Sequence, residues 1–289
     1  ALTTQAGDDE PGLPFGPFDP ARHRTFELAL RDFITAQTGF RPGFVEQLYT
    51  FGDAGRDSPR ATPAPDRRRV VSVGYLALTP DSADVPAAEA LWTPLSEIFP
   101  WEDWRTGRPP LIDAVLAPAL TAWAAADPRR RQARADGLFA LSVSTRWNEE
   151  RVLERYELLY EAGLVAESAR DRDETFAALT PGRAMVSDHR RILATALGRL
   201  RSKLKYRPVL FDLTPETFTL SELQAAAEAV SGLVLHKQNF RRGVERTGLV
   251  EPTGRLSTGT GGRPAELYRY IGPDPLGGRA PGLALPALR

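Results

Sequence analysis

Apolar residues recur along this chain at two spacings, every three to four residues and every second residue, and the changes between them mark out elements. Ala1 to Thr4 reads as a short strand, followed by a Gly- and Pro-rich turn region up to Pro20. Thr25 to Thr38 carries Phe26, Leu30, Phe33 and Ile34 on one helical face, with Gly39 behind it as a C-cap. Phe44 to Phe51 and Val70 to Leu78 are rich in Val, Tyr, Phe and Leu and predict strands, separated by a polar Pro/Gly loop. Ala88 to Leu95, with Trp92 in its middle, predicts a third. Ile112 to Ala126 has helical spacing interrupted by Pro118, which permits only a kinked helix.

Helix dominates the middle of the chain. Asn148 to Glu161 is amphipathic and stopped by Gly163, and Arg183 to Tyr206 predicts a long helix closed by Pro208. Its stripe is Met185, Ile192, Leu193, Ala196, Leu197, Leu200 and Leu204. Its charged remainder includes Arg190, Arg191, Arg199, Arg201, Lys203 and Lys205, read either as a solvated face or as contacts to phosphates. Thr219-Leu220-Ser221-Glu222 then fits a capping box, and Gly232 ends the helix that it starts. A second helix, His236 to Thr247, leads to short strands at Leu249–Pro252 and Ala265–Ile271. The order predicts an α+β chain: a mixed domain over 1–127, a helical connector over 128–206, a helix–helix–hairpin domain over 207–272 and a flexible tail over 273–289.

Composition adds an asymmetry. The 37 Lys and Arg balance 37 Asp and Glu, yet from residue 181 onward there are 17 basic against 9 acidic side chains. A basic half joined to an acidic one fits a nucleic-acid-binding module beside a sensor or assembly module. The absence of cysteine excludes disulfides and thiolate metal sites and is compatible with the reducing cytoplasm, the expected location. Three histidines, His23, His189 and His236, lie too far apart in sequence for a His-based metal cluster, and no apolar run has the length of a membrane span.

The basic half concentrates its chemistry after residue 235. In the helix from His236, Phe240 and Val244 pack inward, which turns Lys237, Gln238, Arg241 and Arg242 outward, with Asn239 beside them. Arg and Gln can read base edges, while Lys and Arg neutralise phosphates. The hairpin that follows carries Arg255 and Arg263 in a small, flexible loop, placed to lie along a backbone or enter a minor groove. Helix, turn, helix and basic hairpin follow the order of a winged helix-turn-helix domain. The alternatives are a hairpin with incidental arginines and a hairpin that contacts protein.

The N-terminal part resembles a known family. Residues 13–40, LPFGPFDPARHRTFELALRDFITAQTGF, are similar to the Nudix motif region, a Gly-rich turn before a helix bearing metal-binding carboxylates. With Gly39 and Phe40 set on the motif's last Gly and apolar residue, its Arg position falls on Asp32 and its Glu positions on Phe33, Ala36 and Gln37; Phe15 stands where the turn would have Gly. Phe and Ala cannot ligate a hard cation, and an amide is a poor substitute for a carboxylate. With FVEQLYTFGD (44–53), Arg56-Asp57 and VVSVGYLAL (70–78), and with the C-terminal FTLSELQ, LHKQNFRR and GGRPAELYRY, the chain resembles the Nudix-related regulators of NAD metabolism, the NrtR group, and its NadQ-like alphaproteobacterial branch most. The resemblance implies a Nudix-like α/β/α sensor domain over 1–127 that hydrolyses nothing and a winged-helix domain over 207–272. It also implies a homodimeric repressor of NAD synthesis genes on a palindromic double-stranded operator, with an adenine-nucleotide or NAD-related effector and no cofactor. Glu46, Arg56 and Asp57 are the candidate effector contacts, Arg56 by pairing with a phosphate. Glu46 reads equally as part of a core strand, and Arg56 with Asp57 as a loop ion pair. The enzyme alternative is a pyrophosphatase acting on ADP-ribose or a related diphosphate with displaced metal ligands. The family fold begins with a strand ahead of Ala1, so an N-terminally truncated chain is expected.

Overall fold

The computed structural model describes residues 1–5, 10–52, 70–80, 85–87, 90–172, 181–257 and 264–272. The chain divides into two compact units, one of Ala1–Ala77, Asp84–Asp103 and Gly107–Gly198, the other of Leu78–Ala83, Trp104–Thr106 and Arg199–Arg289. In the first, strands β1 (Leu2–Gln5), β2 (Pro11–Gly12) and β5 (Ala90–Trp92) form an antiparallel sheet in the order β2-β1-β5, with Thr3 opposite Leu91. Strands β3 (Phe44–Phe51) and β4 (Ser72–Leu78) pair separately. Helix α1 (Phe26–Thr38) starts where the Thr25 side chain accepts from Leu28 N at 3.2 Å and ends at Gly39, whose φ of 70° is left-handed. Ala29, Ile34 and Thr38 are its buried residues; Phe26, expected on that face, is exposed.

The kink expected at Pro118 is resolved locally. Residues Ile112–Leu116 form a wide π-turn ahead of helix α3 (Ala117–Ala124), and Ala117 N bonds back to Ile112 O. That puts Pro118 in the first turn of α3, where its missing N–H costs least. The four-residue helix α2 (Leu95–Ile98) and a 3-10 turn at Pro100–Glu102 precede this segment.

Residues 128–198 do not stand apart as a connector but belong to the first unit. Helix α4 (Pro128–Phe139) packs on α3 and is followed by α5 (Val152–Glu161), α6 (Ala166–Arg172) and α7 (His189–Lys203), which starts in the first unit and ends in the second. The physical reason is a pair of buried guanidiniums. Arg155, fully buried, donates from Nε to Glu102 Oε1 at 2.5 Å and from Nη2 to Oε2 at 2.9 Å. It also donates to Asn148 O at 2.8 Å and lies 3.8 Å over the Trp147 ring. Arg190, part of the expected charged remainder of the long helix, is likewise fully buried. It donates to Ile98 O at 2.5 Å and Pro181 O at 2.8 Å, faces Glu167 at 3.4 Å and lies among Phe99, Trp101 and Tyr156. Gly182 makes room for it: a Cβ there would come within 2.4 Å of Arg190 Nη2. No helix among the described residues is long and apolar enough to cross a membrane.

Breaking such a pair on one side leaves a charge in the interior. Glu102→Ala should therefore lower stability by about 3–5 kcal/mol, whereas replacing Glu102 and Arg155 together by Leu and Met should cost much less. Urea unfolding followed by circular dichroism checks this; equal losses in the two proteins would contradict it.

Candidate nucleic-acid interface

The second unit builds its surface on a three-stranded antiparallel sheet in the order β6-β8-β7, from β6 (Thr217–Thr219), β7 (Val250–Leu256) and β8 (Glu266–Tyr270). Phe218 opposite Tyr268 and Val250 opposite Tyr270 fix the register. Phe211, in a 3-10 turn at Val209–Leu213, stacks on Tyr270 with ring centroids 4.3 Å apart. Helix α8 (Leu220–Ser231) has its ends satisfied within the fold. Thr219 and Glu222 exchange side-chain-to-backbone bonds of 3.2 and 2.7 Å, the expected capping box, and Gly232 closes the helix with φ 72°.

Helix α9 (Lys237–Thr247) is built differently. Phe240 and Val244 are its buried residues and set its roll, while the His236 side chain makes no capping bond and no acid lies in the first turn. The N-terminal end of the helix dipole therefore has no side-chain acceptor at its cap, a suitable partner for phosphate oxygens. At 3.6 residues per turn, Arg242 stands about 180° from the midpoint of Phe240 and Val244, whereas Arg241 stands about 80° from it. Gln238, Asn239 and Arg242 are exposed accordingly, and Lys237, about 40° from that midpoint, is exposed as the first residue of the helix. Arg241, expected on the outward face, lies on the flank instead, half-buried with its Nε–H enclosed and without a hydrogen-bond partner. Arg246, one turn beyond Arg242, is exposed and extends the outward face. Its spacing from Arg242 was a signal the sequence carried.

Strand β7 runs further than Leu249–Pro252, so Arg255 is a strand residue, exposed within the irregular stretch between Pro252 and Leu256, where Gly254 adopts φ 71°. Glu251 and Arg269 face each other across β7 and β8 as an ion pair. Arg263 lies outside the described residues. Of the long helix's expected charged remainder, Arg201 and Lys203 are buried, and Arg201 Nε donates to Val230 O at 2.8 Å; neither belongs to a solvated face.

The candidate effector and metal positions belong to the first unit. Glu46 is half-buried on β3, while Arg56 and Asp57 lie outside the described residues. Asp32 is exposed and 4.0 Å from His23 Nε2; Ala36 is exposed. The Phe33 ring packs edge-on to His23 and so close to Gly16 that a Cβ there would come within 2.6 Å. Gln37 holds the turn before α1: its Oε1 accepts from Phe15 N at 3.2 Å and its Nε2 donates to Phe15 O at 2.5 Å. Among the described residues, no three His, Cys, Asp or Glu side chains come together to hold a metal ion.

Residues 210–270 match the family model of the NrtR DNA-binding winged helix domain. The ADPR responsive transcriptional repressor NtrR of Acinetobacter baylyi is 42% identical over 83 residues, 29% of this chain and 33% of that protein. The chain thus matches about a third of the length of this curated relative. The crystal structure of Shewanella oneidensis NrtR superposes with a TM-score of 0.52 at 22% identity, covering 93% of this chain and 85% of that one. The fold is α+β, a mixed N-terminal domain followed by a winged helix at 210–270.

Arg242→Ala should weaken DNA binding by ~1–3 kcal/mol if the side chain reads a base. Arg255→Ala and Lys237→Ala should weaken it evenly across sequences and lower the salt slope by about one each, as loss of a phosphate contact does. Gel-shift titrations at several salt concentrations, with folding checked by circular dichroism, test both; unchanged affinity in all three folded variants would remove this surface from consideration.

Proposed function

We propose that this chain is a transcriptional repressor that binds a palindromic operator as a homodimer, reading it with α9 and bracing it with the β7–β8 wing. The observation that carries this reading is the seating of α9: Phe240 and Val244 bury one side, which leaves Gln238, Asn239, Arg242 and Arg246 exposed, and Lys237 is exposed at the start of the helix. Arg241 stands at the edge of that set, and Arg255 and Arg263 serve the wing. One such helix spans only a few base pairs, so a two-fold dimer on a two-fold operator is the physical route to specificity. The similarity of the winged-helix segment to the NrtR domain supports the same reading.

The first unit is the sensor in this proposal and catalyses nothing. Its ligand is an adenine-nucleotide or NAD-related metabolite, with ADP-ribose the first candidate because the Acinetobacter relative is named as responsive to it. Phe33 and Gln37 spend their side chains on packing the turn before α1, and Ala36 offers no ligand atom. Glu46, Arg56 and Asp57 are the proposed effector contacts. The regulated genes are those of NAD synthesis, in the cytoplasm. The sequence 44–53, FVEQLYTFGD, favours the NadQ-like alphaproteobacterial branch.

Calorimetry with ADP-ribose, NAD and ATP should find at least one ligand, Arg56→Ala should weaken it, and that ligand should change DNA affinity. No AMP should form from ADP-ribose with Mg²⁺. Cleavage abolished by EDTA would favour the pyrophosphatase reading instead, and failure of all three to bind would remove the sensor.

A further inference from the structure

Helix α9 carries Gly243 in its interior, where glycine gives up more backbone entropy on folding than alanine and weakens the helix. Elsewhere the fold shows why a helix keeps one: in α7 a Cβ at Gly198 would come within 2.9 Å of Glu150 O. Gly243 has no such neighbour among the described residues. A Cβ there would meet nothing within 4 Å, and its φ is not left-handed. The space over it is open. With Phe240 and Val244 setting the roll, Gly243 stands about 80° from their midpoint, on the side away from Arg241. Asn239 and Arg246 lie on that same side, about 6 Å before it and about 4.5 Å beyond it along the axis. Both are exposed. The opposite flank holds Arg241 and the exposed carboxylate of Glu245, which repels phosphate. One flank thus offers an amide, a gap and a cation; the other sets a carboxylate beside its cation.

We propose that Gly243 marks where one strand of the operator passes closest to α9: its missing side chain lets the sugar–phosphate chain lie against the helix backbone, with the Asn239 amide and the Arg246 guanidinium donating to the phosphates on either side. The proposal rests on the DNA-binding reading and adds to it which flank of the helix meets the backbone. A helix is about 10–12 Å across with its side chains, and the major groove is about 12 Å wide, so the flanks of a seated helix run against the strands that border the groove. Asparagine and arginine both donate to phosphate oxygens, and a position without a side chain lets a backbone come close. Gly243 weakens α9 and deepens its seat.

The test uses the full chain and duplexes that it enriches from a random-sequence pool. Gly243→Ala should act in opposite directions on the helix and on binding. In the free protein it should slow hydrogen exchange of the α9 amides, because alanine favours the helix. It should also lower affinity for the enriched duplex about tenfold, with the preferred bases unchanged, because the added methyl meets the strand. Gly243→Gln, which is longer, should lose more. Arg246→Ala should weaken binding and lower the slope of affinity against salt by about one. A Gly243→Ala protein that binds as tightly as the wild type would overturn the proposal and leave the DNA-binding reading standing. Faster α9 exchange would overturn it too, by making the glycine a requirement of the fold. So would a shift of the free variant toward monomer in sedimentation, which would place a second copy over Gly243, or a salt slope untouched by Arg246→Ala. If the wild type enriches no duplex, the DNA-binding reading fails and this proposal falls with it.

Discussion

Phe240 and Val244 are the two side chains of α9 that the second unit buries, and their burial decides what every other residue of that helix can do. A helix of this length has little stability of its own in water and keeps its place by packing an apolar face. Two large residues one turn apart define that face narrowly. Everything opposite is then exposed by geometry: Arg242 points away from the core, Gln238 and Arg246 lie a turn to either side, and Arg241 is left on the shoulder. The capping box of α8 and the pairing of β6, β8 and β7 supply the frame into which Phe240 and Val244 fit. Charge alone would not have separated Arg241 from Arg242, since the two are neighbours with the same side chain.

The first unit rests on a different constraint. Arg155 and Arg190 are both inside, and each is surrounded by a carboxylate, backbone carbonyls and aromatic rings. Two ions taken out of water demand that geometry, and they tolerate little displacement of the groups around them. Arg155 thereby ties the turn at Pro100–Glu102 to α5, and Arg190 ties Ile98 and Pro181 to the start of α7. Residues 98–102 are thus held to α5 and to the start of α7 by buried ion pairs and hydrogen bonds.

What could be read from the sequence was what depends on neighbours a few residues away. Thr219 and Glu222 are three apart, Gly39 and Gly232 each follow their helix directly, and Phe240 and Val244 are one turn apart; each reading needed no long-range information. The misreadings share the opposite property. Arg190 looked like part of a polar face because its partners, Ile98 and Glu167, are distant in the chain. The unity of residues 84–103 with 107–198 was hidden for the same reason, since Glu102 and Arg155 meet across 53 positions. Arg241 is a different case: its place on the flank follows from its spacing to Phe240 and Val244, about 80° from their midpoint, and was already in the sequence. At α1 the sequence showed that Gln37 is not a carboxylate; its pair of hydrogen bonds to Phe15 emerged only when the turn before α1 was folded back on it.

The central claim is that the outward face of α9 recognises particular DNA sequences. Crosslinking the full chain to DNA in its own cells, followed by sequencing of the recovered fragments, tests this most directly. The account predicts a small set of enriched sites, each holding two inverted half-sites spaced by about one turn of the duplex. Recovery spread evenly along the chromosome, or no recovery above a control lacking the protein, would contradict it.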